Sequence, residues 1–274
     1  MERSAPRIYC IPASEAPVVA VFRRGPTQWS HVGRWNLADG TYEAGAWLGG
    51  RLFPRRSDLS PDGRYLCDVA HKPSATWELG EAYVAVSRLP WLTALQAFAT
   101  CGTWTRGYYF TTDVGPPGSA EVALPIPYQL AATRPEQFAT ERRRGWVEAD
   151  DCPPRDSGDV WDERRNARLR KRQPSGSRWL CLESRGVAYG ALASEQAVDG
   201  LAVQYALESD GELILLDHVQ WADWDRDGRL LAATRAGQLH ICRLAPGGLV
   251  PESVIDLASL QPTPTPAPEW ARQW

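Results

Sequence analysis

Lysine is almost missing from this chain: Lys72 and Lys171 are the only two, and arginine carries the rest of the positive charge. With plentiful Ala, Gly and Pro, that bias is the composition of a GC-rich, bacterial coding sequence. A net charge of −3 excludes a global basic field of the kind that gathers nucleic acid or anionic lipid. No run approaches ~18 uninterrupted apolar residues, so no membrane-spanning helix is expected. The opening Met1-Glu2-Arg3-Ser4-Ala5-Pro6 lacks the apolar stretch of a secretory leader, which makes the cytoplasm the expected location.

Reactive motifs are missing too. The six cysteines (Cys10, Cys67, Cys101, Cys152, Cys181 and Cys242) form no Cys-x-x-Cys pair, which excludes the usual zinc spacing and suggests reduced, buried thiols. The four histidines, His31, His71, His218 and His240, include no His-Glu-x-x-His. There is no Gly-x-Ser-x-Gly elbow and no Gly-rich phosphate loop. The expectation is therefore no catalytic residue, no metal and no cofactor, although the carboxylates are numerous enough to leave a glycosidase-like pair open.

What the chain does have is a repeat. Trp221 to Leu244 reads as two short strands, each opened by a turn, at Asp227-Gly228 and at Ala236-Gly237. The segment Asp58-Leu59-Ser60-Pro61-Asp62-Gly63-Arg64-Tyr65-Leu66 matches it: Asp58 falls on Asp223, Asp62-Gly63-Arg64 on Asp227-Gly228-Arg229, and Leu66 on Leu231. Upstream, Trp35, Leu37 and Asp39-Gly40 correspond to Tyr205, Leu207 and Asp210-Gly211. Downstream, Val84 to Leu89 corresponds to Leu239 to Leu244. Four short strands with an Asp-Gly turn before the third make one propeller blade, and such blades must stack because none covers both its faces alone.

The wording Leu59-Ser60-Pro61-Asp62-Gly63-Arg64-Tyr65-Leu66 also resembles the repeat of the TolB-like and WD40-like β-propellers, which implies that architecture and no activity. Two blades, at about 33–89 and 203–244, carry the resemblance. The two Asp-Gly turns are separated by about four repeats of ~40–45 residues. The expected fold is all-β, a single propeller of about five, or six, four-stranded blades over 1–260. Short helical insertions are expected at Pro90–Thr100 and Pro135–Arg144, and a Pro-rich tail over 261–274.

Three sets of residues are candidate sites. Asp223, Asp225 and Asp227 open like a calcium loop, but Leu231 and Thr234 stand where further oxygen ligands belong, so a blade turn is the stronger reading. Arg164, Arg165, Arg168, Arg170, Lys171 and Arg172 put six cations in nine residues. In a strand, Arg168, Arg170 and Arg172 share one face, able to grip an acidic partner or phosphate, or simply to lie solvated against the acidic stretch before them. The lack of interleaved aromatics makes nucleic acid the lesser partner for Arg164–Arg172. Thirteen tryptophans mostly suit packing between blades. Trp270 and Trp274, beyond the prolines, either dock back or meet a partner, and four residues apart they would share one side of a helical turn. The expectation is a non-catalytic, protein-binding scaffold in a bacterial assembly. The alternative is a propeller-type hydrolase acting on a sugar or small ester in its channel.

Overall fold

The computed structural model describes residues 6–25, 28–73, 79–100, 102–113, 121–134, 137–149, 167–187, 201–209, 211–245 and 248–274. The chain is all-β, built from five antiparallel sheets that follow one another in sequence. The first takes β1 (Arg7–Pro12), β2 (Val18–Arg24), β3 (Trp29–Asn36) and β4 (Thr41–Gly49), in that order. The second takes β5 (Arg51–Leu52), β6 (Asp58–Leu59), β7 (Tyr65–His71), β8 (Ala82–Arg88) and β9 (Gln96–Ala99), with β5 and β6 both paired to β7. The third places β10 (Tyr108–Thr111) and β11 (Glu121–Ala123) on either side of β12 (Gln129–Ala132). After α1 (Ala139–Arg143), the fourth runs β13 (Val147–Glu148), β14 (Arg168–Arg172), β15 (Trp179–Val187), β16 (Leu201–Ser209) and β17 (Glu212–Leu215). The fifth is β18 (Val219–Trp224), β19 (Leu230–Thr234), β20 (Gln238–Ala245) and β21 (Gly248–Asp256).

Two compact units emerge, and the division between them falls inside β1. One comprises Met1–Tyr9 with Pro135–Leu260, the other Cys10–Arg134 with Gln261–Trp274. In the first unit, the fourth sheet packs Leu169, Leu180, Leu182, Tyr205 and Leu207 against Trp224, Leu230 and Ala232 of the fifth. The N-terminal segment is tied to the same unit: Ile8 N–H donates to Gln220 Oε1 at 3.0 Å, and the Tyr9 hydroxyl donates to Glu141 Oε1 at 3.0 Å. In the second unit, alternate residues of β7 and β8 (Cys67, Val69, Val84 and Val86) pack on Phe110 and Leu130 of the third sheet.

The repeated segments do not each form one sheet. Each copy begins in the last two strands of one sheet (β3–β4 or β16–β17) and continues through the next (β6–β8 or β18–β20). The segments 33–89 and 203–244 therefore each straddle two sheets, because strand pairing closes one sheet at β4 or β17 before the Asp-Gly turn starts the next. The likeness also reaches further upstream than the sequence reveals. In the second unit, the β1–β2 loop meets the following sheet's turn, with Glu15 N–H donating to the Pro61 carbonyl at 2.9 Å. In the first, the β14–β15 loop does the same, with Gln173 Nε2 donating to the Gly228 carbonyl at 2.6 Å. Both pairs of sheets thus set a loop of the earlier sheet against the Asp-Gly turn of the later one.

Both turn glycines are required. Gly63 and Gly228 sit at φ of +73° and +79°, where side chains are strained. A Cβ on Gly63 would stand 2.9 Å from Val18, and one on Gly228 3.2 Å from Gln173, so each turn is seated against the sheet before it.

One local expectation changes. Pro90–Thr100 is not a helix: the apolar spacing of Leu95 and Phe98 instead serves β9, which satisfies its backbone by pairing Gln96–Ala99 with β8. A 3-10 turn, Gly102–Trp104, precedes β10. The short helix α1 falls within Pro135–Arg144 as expected. The strand count per sheet runs from three to five rather than a uniform four. Arg164, Arg165, Cys101, Cys152 and most of the acidic stretch lie outside the described residues.

A buried ion pair joins the fourth and fifth sheets. Lys171 Nζ lies 2.6 Å from Asp223 Oδ1, and Trp224 Nε1 donates to the Lys171 carbonyl at 3.1 Å. Asp223 is only 5% exposed, so removing its cation strands a charge at a cost of about 3–5 kcal/mol. Lys171→Met is expected to lose that much in urea unfolding, and Lys171→Met with Asp223→Asn to recover a large part. Additive losses in the double variant would show that the two groups do not act as a pair.

Candidate functional site

The outward face of the fourth sheet gathers the arginines. Strand alternation turns Leu169 into the core and Lys171 to Asp223, and sends Arg168, Arg170 and Arg172 to the opposite face. Cross-strand register then lays out three rows. Arg168 stands opposite Glu183, itself opposite Gln204. Arg170 stands opposite Cys181, followed by Ala206 and Leu215. Arg172 stands opposite Trp179, followed by Glu208 and Leu213. The first two rows, with Glu208 and Leu213 of the third, line a depression of about 440 Å³, where Ala149 stands beside Arg168.

Charge on this face is mixed. Arg168 Nε lies 3.6 Å from Glu183 Oε1, and the Arg170 guanidinium lies 4.4 Å over the Trp179 ring. The Cys181 thiol donates to Glu208 Oε2 at 3.8 Å. Three guanidiniums repeat every ~6.6 Å along β14, a spacing at which carboxylates of an extended partner can be met in turn.

The remaining candidates separate. Arg168, Arg170 and Arg172 come together as the alternation requires. Trp270 and Trp274 do not share a helical face: the turn is a 3-10 turn, Glu269–Arg272, that ends before Trp274. Trp274 docks into its own unit's core, 5.9 Å from the Tyr65 ring, and Arg88 Nε fixes the end by donating to the Gln273 carbonyl at 2.8 Å. Trp270 remains 46% exposed.

Of the three aspartates, Asp225 closes the turn. Asp225 Oδ1 accepts the N–H groups of Asp227 and Arg229 at 3.0 and 2.7 Å, and its Oδ2 pairs with Arg229 Nε at 2.6 Å. Asp223 faces Lys171, and Asp227 is exposed. No grouping of three or more His, Cys, Asp or Glu suited to a metal ion occurs among the described residues, and none of the helices there is long and apolar enough to cross a membrane.

Sequence reasoning missed Glu183, Glu208, Cys181, Leu213 and Leu215 as parts of this face. Alternation through Trp179–Glu183 carried the signal for β15. For β17 the signal was three consecutive apolar residues in a strand that has no alternation.

Two of the buried titratable groups of the second unit, His31 and Asp68, bear on its stability against pH. His31 stacks on Trp47 at 4.5 Å. Its Nδ1–H donates to the Ala46 carbonyl at 3.0 Å, which leaves Nε2 to accept from the Tyr42 hydroxyl, also at 3.0 Å. Burial, then the nearby Arg23, outweighs the Ala46 carbonyl and pulls its pKa down to about 4. Asp68, on β7, keeps a buried Oδ1 without a hydrogen-bond partner, and burial pushes its carboxyl up to about 7.

In a scan against protein-family models none matches this chain, and a search of curated proteins finds no relative. The likeness to propeller repeats rests on the repeat residues themselves.

The two buried groups make opposite pH predictions. Unfolded, His31 takes a proton near 6.5 that the folded chain accepts only near 4, so its contribution is present above 6.5 and lost as pH falls. Asp68 keeps in the fold a proton that the unfolded chain releases near 3.8, so its contribution is present below 3.8 and lost as pH rises through 7. Between about pH 4.5 and 6.5 the two slopes oppose each other. Relative to wild type, Asp68→Asn is expected to gain stability with rising pH, by up to about 1.4 kcal/mol per pH unit, and His31→Gln to lose it. Urea titrations at both ends of the window read this directly. Wild-type slopes in both variants would contradict it.

Proposed function

We propose that this chain is a five-bladed β-propeller that serves as a non-catalytic scaffold, a protein-binding subunit of a bacterial multiprotein assembly in the cytoplasm. Five sheets consecutive in sequence support the ring, as do two copies of the repeat and Asp-Gly turns seated against the preceding sheet. The arginine-for-lysine bias supports the bacterial origin. One observation carries the function: Arg168 and Arg170 line an accessible depression together with Glu183 and Glu208, and Arg172 continues their row along β14. Such mixed charge suits the carboxylates and amides of a protein surface. A polyphosphate chain would meet repulsion from the two glutamates.

Affinity capture of the tagged full-length chain from its host tests the reading. A stoichiometric protein partner is expected with wild type, reduced at least tenfold with Arg168→Ala/Arg172→Ala. Both sites are on the solvent face, so the variant's stability is expected to stay within about 0.5 kcal/mol of wild type. Recovery of the chain alone would overturn the scaffold reading, and recovery of nucleic acid with a steep salt dependence would replace it.

A further inference from the structure

The outermost strand of the fourth sheet breaks the rule by which sheets protect their edges. Natural edge strands carry lysine, proline, bulges or small residues that discourage a further strand. Here β21 carries Pro251, Glu252 and Asp256, with a register shift against β20 at Ile241/Cys242. Strand β4 has a register shift against β3 at His31/Gly33, and β9 is short and alternates Phe98 with alanines. Strand β17 is as short as β9, but it carries no proline, lysine or register shift, and among the described residues no strand pairs with its outer side. Its Leu213, Ile214 and Leu215 are 60, 52 and 53% exposed, three consecutive large apolar side chains.

The backbone of β17 is also open. Leu216 N–H donates to the Tyr205 carbonyl, and with Leu207 opposite Ile214 this places Ile214 in a hydrogen-bonded pair with β16. By antiparallel alternation, Leu213 and Leu215 then aim their N–H and C=O groups away from the sheet. Their side chains meanwhile extend the rows that begin at Arg172 and Arg170, so the edge continues the depression already described.

We propose that β17 is a strand-addition site: an extended segment of the protein partner pairs antiparallel along Glu212–Leu215. Its chemistry is set by what it would meet. Two apolar side chains lie beside Leu213 and Leu215, and one on the other face lies beside Ile214. Lysine or arginine flanks this core, because Glu212 and Asp217 place negative charge at the two ends of the strand. The site rests on the scaffold reading and names how the partner is held.

The probe is a fluorescent peptide, Lys-Thr-Val-Ile-Val-Thr-Lys, titrated against the full chain. Saturable binding is expected, with slowed hydrogen exchange at the Leu213 and Leu215 amides. N-methylation of the peptide amides that face β17 is expected to weaken binding at least tenfold. Leu213→Pro is expected to do the same, since the N–H it deletes is not used by β16. Leu215→Lys supplies a second variant should Leu213→Pro fail to fold, and Val254→Lys on β21 is expected to change nothing. No binding at millimolar peptide, or binding indifferent to N-methylation and to both β17 variants, would overturn the proposal. So would a wild-type dimer that Leu213→Pro converts to monomer, because the edge would then belong to a second copy. The scaffold reading fails separately, when wild-type capture yields no partner. A partner retained by Leu213→Pro sinks strand addition alone.

Discussion

Much of this structure depends on two turn glycines held in the left-handed conformation beside the preceding sheet. At Gly63 and Gly228 the chain must take a left-handed conformation and also press its backbone against the preceding sheet. Either demand alone favours glycine, and here the two coincide. The joint between consecutive sheets is therefore formed at a backbone position, by contact with Val18 in one copy and Gln173 in the other. Side chains around the joint are free to differ so long as the turn closes.

They do differ, in a way that explains why the repeat is readable at some positions and obscure at others. After the glycine, the next N–H must find an acceptor. Ser60 Oγ accepts from Arg64 and Tyr65 at 3.2 and 2.9 Å and donates to Asp62 Oδ1 at 2.6 Å. In the other copy Asp225 does this work alone and also takes the Arg229 guanidinium. Serine and aspartate are equivalent as acceptors for turn N–H groups, which is why an apparent calcium loop in one copy lines up with Ser-Pro-Asp-Gly in the other. The strand order around these turns was legible for the same reason. Turn chemistry and period-two alternation are local, and they placed the strands that follow Asp227-Gly228 and Ala236-Gly237, here β19 and β20.

What was not legible is where one sheet ends and the next begins. Nothing in residues 33–89 distinguishes a hairpin that pairs forward from one that pairs backward. That choice depends on which edge is already occupied, a tertiary fact. The same holds for β9. Leu95 and Phe98 are spaced as a helix would space them, but the free edge of β8 offers Gln96–Ala99 a ladder, and pairing wins over a weak local preference. The face of the fourth sheet was half legible: alternation put Arg168, Arg170 and Arg172 together, whereas the neighbouring Glu183 and Glu208 follow from register alone.

Alternation also accounts for the buried lysine. Arg168, Leu169, Arg170, Lys171 and Arg172 carry four cations in five residues, and a strand cannot send all four to water. One must point inward with Leu169, and the lysine does. A buried ammonium needs a carboxylate, and the fifth sheet supplies it from Asp223. The matching residue in the other copy is Asp58, whose Oδ2 accepts the Phe110 N–H at 3.0 Å and holds the third sheet. The repeat thus keeps an acceptor on the strand before the turn and lets the neighbouring sheet decide what it binds. Where that neighbour is a backbone amide, the joint is neutral on one side. Where it is Lys171, the aspartate makes it possible for β14 to be cationic at all, and so for three arginines to reach the opposite face.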